Sequence, residues 1–262
     1  MPLIHHVIAG NTYPPVVFVH GFACGHTDWD AQVAHFSARH QTVAVDLRGH
    51  GASPGPAADC SIERYGADVA EVMRALNLPP AIIVGHSLGC RVVTEAALQA
   101  PEHTKALVLV DGSQFAAAMG PALRAAFAQP NGFATMAQSL FKDMFTAQST
   151  PATARKVMER ALRLPREVGE KMLSDLQRYD EHRLTASLRS LRIPVMAIQT
   201  TYSNEKRQRS SMRKGQTSPY LDMLSAAVPA VRVEIVEDTG HFPQLDKPAE
   251  TNALLDRFLA SL

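Results

Sequence analysis

Residues 85–89 read Gly-His-Ser-Leu-Gly and stand where the apolar run "AIIVGH" (81–86) gives way to a helical pattern. A serine hydroxyl is a poor nucleophile until a base takes its proton and its oxygen is presented clear of bulk. A sharp strand-to-helix turn does the presenting. Glycines at 85 and 89 let the backbone turn and the flanking elements approach, and the helix start aims free N–H groups and its positive end at the reaction. Ser87 is therefore the candidate nucleophile. Its chemistry also needs an oxyanion hole, with one N–H expected from Leu88 and another from the loop after an earlier strand. "VVFVHGFACGHTDW" supplies that loop, and Gly21 permits the turn that aims the Phe22 N–H inward. His20 reads as a strand-end residue hydrogen-bonded to backbone.

The base must come from eleven histidines. His5, His6, His26, His35, His40, His103 and His182 fall in the terminus, in surface-like helices or in a helical insertion. His241 differs, because "VRVEIVEDTGHFPQLDKP" sets it in a Gly-containing loop between the last strand and the last helix, on the same sheet edge as Ser87.

These positions depend on the elements around them. Six short β-rich runs, at 16–20, 41–46, 81–86, 106–111, 195–199 and 231–236, alternate with amphipathic stretches near 28–39, 62–77 and 88–99. Such alternation predicts an α/β fold, a mainly parallel central sheet with helices on both faces. Residues 114–190 break the rhythm: they are rich in Ala, Met, Phe, Leu and Arg, have helical periodicity and hold no convincing strand. They read as a helical cap inserted after the strand ending near residue 111, leaving 1–113 and 191–262 as the core. A final amphipathic helix is expected from about Pro248 to Leu262, with proline in its first turn.

The chain's 262 residues, 46% hydrophobic, can bury a sizeable core. Lys plus Arg (26) nearly balance Asp plus Glu (25), which gives no reason to expect nucleic acid or an anionic membrane as partner. No apolar run approaches the ~18 residues of a membrane span, and "MPLIHHVIAGNTYPP" lacks the features of a signal peptide, so a cytoplasmic location is expected. Cys24, Cys60 and Cys90 lack CxxC spacing and read as reduced thiols, with no metal site expected. The sequence leaves oligomeric state open.

"VHGF" at 19–22, "DLRGHGAS" at 46–53, "GHSLG" at 85–89 and "GHFPQLDKP" at 240–248 together resemble the α/β-hydrolase fold family over nearly the whole chain. The resemblance implies a Ser, acid and His triad, an oxyanion hole from the Phe22 and Leu88 amides, no cofactor, and a lid after the strand ending at Asp111. It also implies that Asp46, Arg48, Gly49 and Gly51 mainly shape a loop beside the site. The commonest family pattern places an Asp in a short turn after the strand beginning at Pro194, where this chain has Ser203 and Asn204. A buried carboxylate is still required to fix the histidine tautomer and stabilise the imidazolium. Asp111, at the end of "ALVLVD", is the first candidate and Glu205 the alternative, with Asp222 and Asp238 behind them.

Around Glu205 the loop is basic, carrying Lys206, Arg207, Arg209, Arg213 and Lys214. It reads as a solvated loop, or as a gate for an anionic substrate. In the insertion, Phe115, Met119, Phe141, Met144 and Phe145 are candidates to line an apolar pocket, although residues at helical spacing also build the insertion's own core. The expected function is hydrolysis of a small, apolar carboxylic ester or lactone through an acyl-enzyme on Ser87. The alternatives are a carbon–carbon bond hydrolase of vinylogous diketones and, in a different class, a slow-turnover ligand receptor of the same fold.

Overall fold

The computed structural model describes residues 2–115, 119–146, 149–203 and 209–262. Its strands are β1 (His6–Ala9), β2 (Val16–Val19), β3 (Thr42–Val45), β4 (Ala81–His86), β5 (Thr104–Val110), β6 (Val195–Gln199), β7 (Thr201–Ser203), β8 (Arg209–Ser211) and β9 (Arg232–Ile235). Seven of them form one sheet in the order β1-β3-β2-β4-β5-β6-β9. Only β1 runs antiparallel, pairing with β3, and the other neighbours are parallel. All six predicted runs are strands of this sheet, which is the mainly parallel sheet of the expected α/β fold.

Helices α1 (Asp30–Phe36), α2 (Ile62–Ala75) and α3 (Gly89–Gln99) connect the early strands. Between β5 and β6 the described residues form α4 (Met119–Phe127), α5 (Gly132–Lys142), α6 (Pro151–Ala161), α7 (Arg166–His182) and α8 (Leu184–Ser190). Helix α9 (Pro219–Ala227) precedes β9, and the short α10 (Pro243–Asp246) and α11 (Pro248–Leu259) end the chain. None of these helices is long and apolar enough to cross a membrane.

The central strands read as continuous apolar runs because both their faces are covered. In β2, Val16 and Phe18 join one core with Trp29, Phe36, Leu255 and Phe258 from the α1 and α11 side. Val17 and Val19 join the other, with Tyr65, Val69, Val92 and Val93 from α2 and α3. Fully burying each such side chain contributes about 1.5–3 kcal/mol. The parallel run of β4, β5 and β6 also brings their carboxyl ends, and the residues that follow each, to one edge of the sheet.

The inserted helices are tied to the core by polar contacts as well as apolar ones. Arg91 of α3 donates to Asp180 of α7 at 2.9 and 2.7 Å, with both side chains buried. Glu95 of α3 accepts from Tyr179 at 2.8 Å and from Ser187 of α8 at 3.1 Å. Features without a counterpart in the sequence reading include the edge strand β1, the antiparallel ribbon β7-β8 beyond β6, and helix α9. The three cysteines are free and buried.

Candidate active site

Ser87 follows β4 with φ +55°, a left-handed conformation uncommon outside glycine. Its N–H bonds Val110 O at 2.9 Å, so the turn is anchored to the neighbouring strand. Gly85 and Gly89 are required by contact: a Cβ on Gly85 would meet Gly89 O at 2.3 Å, and one on Gly89 would meet Val19 O and His20 O at 2.7 Å. Leu88 caps α3, leaving its N–H at the helix start, where the dipole is positive.

His241 stands after β9, as its place in the chain suggests. Its N–H bonds Met144 O at 2.8 Å, and its carbonyl accepts from His86 Nε2 at 2.7 Å. Thr200 Oγ1 holds the preceding Gly240 carbonyl at 2.8 Å. Thus fixed, His241 Nε2 lies 2.8 Å from Ser87 Oγ, and Nδ1 lies 2.6 Å from Asp111 Oδ2. Asp111 follows β5 with φ +43° and is fully buried. Its Oδ1 accepts the Thr200 and Thr201 N–H groups at 2.8 Å each, and its Oδ2 accepts Thr201 Oγ1 at 2.6 Å.

Burial by itself raises the Asp111 carboxyl, but the hydrogen bond and charge of His241, the Arg209 charge and the Thr201 hydroxyl outweigh it and hold the group at about 2. For His241, burial and then the Arg209 charge lower the imidazole to about 4, against the raising effect of Asp111. A neutral base and an ionised acid are the forms that proton transfer from a serine requires.

His20 explains how the loop after β2 is set. Leu47 N–H donates to its Nε2 at 2.9 Å, so Nδ1 carries the proton and meets Gly21 O at 2.7 Å. Drawing that carbonyl one way turns the N–H of the same trans peptide, on Phe22, the other way. Neither the Phe22 nor the Leu88 N–H has a hydrogen-bond partner among the described residues.

The other candidate acids lie elsewhere: Asp222 bonds Thr217 and Asp238 pairs with Arg213, all on the surface, and Glu205 lies outside the described residues. Of the apolar candidates, Phe115 and Met119 border a cavity of about 180 Å³ among α4, α5 and α7. Phe141 instead packs on the Phe22 ring at 6.2 Å and Phe145 on Phe242 at 5.3 Å. Met144 lies against Gly240. Asp46 accepts the His26 and Ala52 N–H groups, and Arg48 pairs with Asp68 at 2.6 Å, so both shape their loop. Among the described residues, His5, His26 and Asp46 alone cluster with metal-ligand spacing; both imidazoles bond Asp46, at 3.1 and 2.9 Å, and none of the three touches Ser87 or His241.

His86 and Thr201 escaped the sequence reading, and Arg209 entered it only as one residue of a basic loop, solvated or gating. His86 could have been noticed as the variable residue of the Gly-His-Ser-Leu-Gly turn. Thr201 and Arg209 carry no local signal. Arg209 is not solvated: its Nη1 lies 2.6 Å from Thr201 Oγ1, 3.4 Å from Asp111 Oδ2 and 3.2 Å from His241 Nδ1.

The alpha/beta hydrolase family profile matches residues 16–254, and the chain belongs to that family. An uncharacterised protein of Mycobacterium tuberculosis is 28% identical over 282 residues, covering 96% of this chain and 76% of its own. Among solved structures, one described as an N-acyl homoserine lactone degrading enzyme matches with a TM-score of 0.80 at 24% identity, over 97% of this chain and 96% of its own. The enol-lactonase from Burkholderia xenovorans LB400 matches with a TM-score of 0.81 at 19% identity, over 98% and 96%. These two share the fold of this chain.

Proposed function

We propose that the protein is a serine hydrolase of small carboxylic esters or lactones. The observation that carries this reading is the unbroken relay from Ser87 Oγ to His241 Nε2 (2.8 Å) and from His241 Nδ1 to Asp111 Oδ2 (2.6 Å). His241 takes the Ser87 proton as the oxygen attacks the carbonyl carbon, and Asp111 balances the imidazolium. The oxyanion rests on the Phe22 and Leu88 amides. His241 then protonates the leaving alkoxide, and a water, deprotonated by His241, cleaves the acyl-enzyme and restores Ser87. In a lactone the leaving alkoxide stays on the acyl group.

No cofactor enters these steps. The helices between β5 and β6 act as a lid, with Phe115 and Met119 on its apolar lining and Phe141, Met144 and Phe145 packed onto the loops that carry Phe22 and His241. Two proteins of the same fold are described as lactone-degrading, which supports keeping lactones beside esters as the substrate class.

The test is hydrolysis of p-nitrophenyl esters of increasing acyl length and of simple lactones by wild type and Ser87→Ala. Turnover confined to the wild type is expected, with a loss of at least 10³-fold in the variant. Turnover that survives Ser87→Ala would remove the proposal.

A further inference from the structure

A cavity of about 480 Å³ opens beside Asp111, with Gln199, Thr201, Tyr202, Arg209 and Tyr220 on its walls. Ser87, His241, Phe22 and Leu88 do not border it. Its wall is chemically incomplete. Among the described residues Arg209 is its only cation, and the nearest carboxylate, Asp111, is 3.4 Å away and already accepts from His241 and Thr201. The two acids on the wall among the described residues are engaged elsewhere: Asp180 is held by Arg91 and the Phe115 N–H, and Glu181 accepts from Gln177 at 2.6 Å. Gln199 spends its amide hydrogens on Gly112 O and Thr201 O at 2.8 Å each, leaving its buried Oε1 without a donor among the described residues. A weakly compensated cation and an orphaned acceptor, with aromatic rings between, call for an acid group, a donor and an apolar body.

Arg209 also opposes the relay. His241 Nδ1 already gives its hydrogen to Asp111, so the 3.2 Å approach of Arg209 Nη1 sets one donor against another. A positive charge there resists the imidazolium that catalysis forms.

We propose that this cavity binds a small monocarboxylate, separate from the ester substrate, which pairs with Arg209 and relieves its charge on the His241–Asp111 pair. A carboxylate suits the planar guanidinium, and Glu181 disfavours a second negative charge on the ligand. The binding half stands alone; the regulatory half rests on the serine-hydrolase reading. The groups acting on His241 are Asp111, Arg209, the ring of His86 at 4.6 Å and, from further off, Arg91, while Asp143 acts on Arg209. Only Arg209 changes its charge balance when the ligand binds. His241 then becomes a stronger base, so the plateau of kcat/KM rises, about three-fold per unit gained, while its acid limb moves to higher pH. The profiles with and without ligand therefore cross, which a purely structural effect would not produce.

The test is calorimetric titration with 4-hydroxybenzoate, at ionic strength fixed with sodium chloride, of wild type, Arg209→Gln, Arg209→Lys and Arg213→Gln. Arg213 is an exposed residue paired with Asp238 and serves as the charge control. Binding to wild type and Arg213→Gln is expected, weakened at least ten-fold in Arg209→Gln and partly restored in Arg209→Lys. In ester assays the ligand should produce the crossing profiles in wild type, and Arg209→Gln should show the shifted profile without ligand. No binding to wild type, or undiminished binding to Arg209→Gln, overturns the site. Competitive inhibition with an unshifted profile overturns the regulation. Absence of any ester turnover counts against the hydrolase reading and leaves the calorimetry to judge the site.

Discussion

At Asp111 one carboxylate answers five groups: the His241 imidazole, two backbone amides, the Thr201 hydroxyl and, at 3.4 Å, the Arg209 guanidinium. In the proposed relay its charge matters more than its shape. Asp111→Asn preserves the volume but removes the charge that balances the imidazolium and favours the wrong histidine tautomer. A loss of about 10³–10⁴ in kcat with little change in KM is expected from steady-state ester kinetics; a loss below ten-fold would exclude Asp111 as the acid. Ser87, Leu88, Phe22 and His241 were legible because each sits at a strand end whose neighbours in the chain announce a turn. Asp111 was legible only as a candidate, since the chain carries Ser203 and Asn204 at the commoner position and Asp before Gly also suits an ordinary turn. Arg209 was legible only as part of a basic loop, because its place beside His241 exists only once β7 and β8 pair.

Among the elements, α3 joins the turn that carries Ser87 to the helices between β5 and β6. Arg91, one turn into that helix, bonds Ser87 O at 3.1 Å, the Ser113 carbonyl and both oxygens of Asp180 on α7. This ion pair is almost wholly withdrawn from water, so removing one partner strands the other. Arg91→Ala or Asp180→Ala is expected to cost about 3–5 kcal/mol in denaturant unfolding, whereas Arg91→Met combined with Asp180→Leu recovers most of that loss. Equal loss in the double variant would mean the contact is not isolated as a pair. The pair also shows why element type is easier to read than element partnership. The helical period of 114–190 was visible, but nothing in it announces that Asp180 meets Arg91 89 residues earlier. β1 escaped because its four residues form an edge with mixed burial, and β7 and β8 because three-residue polar strands offer no alternation to count.

Across the whole molecule, four histidines are buried in the neutral state, and this sets how stability responds to acid. Burial is the largest cause in each case: it lowers His50 and His241 to about 4, His86 to about 3, and His20 well below its ordinary value. Unfolding releases all four to about 6.5, so between 6.5 and 4 the unfolded chain binds more protons than the folded one and stability falls as pH falls. Each histidine contributes a slope of at most about 1.4 kcal/mol per pH unit in that window, and the slope vanishes above it. Asp46 and Asp111 act in the same direction only lower down. Both are held at about 2 in the fold, so their stabilisation is complete above the unfolded carboxylate value of about 3.9 and is lost as pH falls through the folded one. Urea midpoints are therefore expected to be level from pH 8 to 7, to fall steeply from 6.5 to 4.5 and to fall further below 4. His50→Asn should flatten the middle segment by about one proton's worth. A midpoint that stays level from pH 7 to 5 would mean these imidazoles take up protons without unfolding, and with them that His241 is charged, and unfit as a base, at the lower pH.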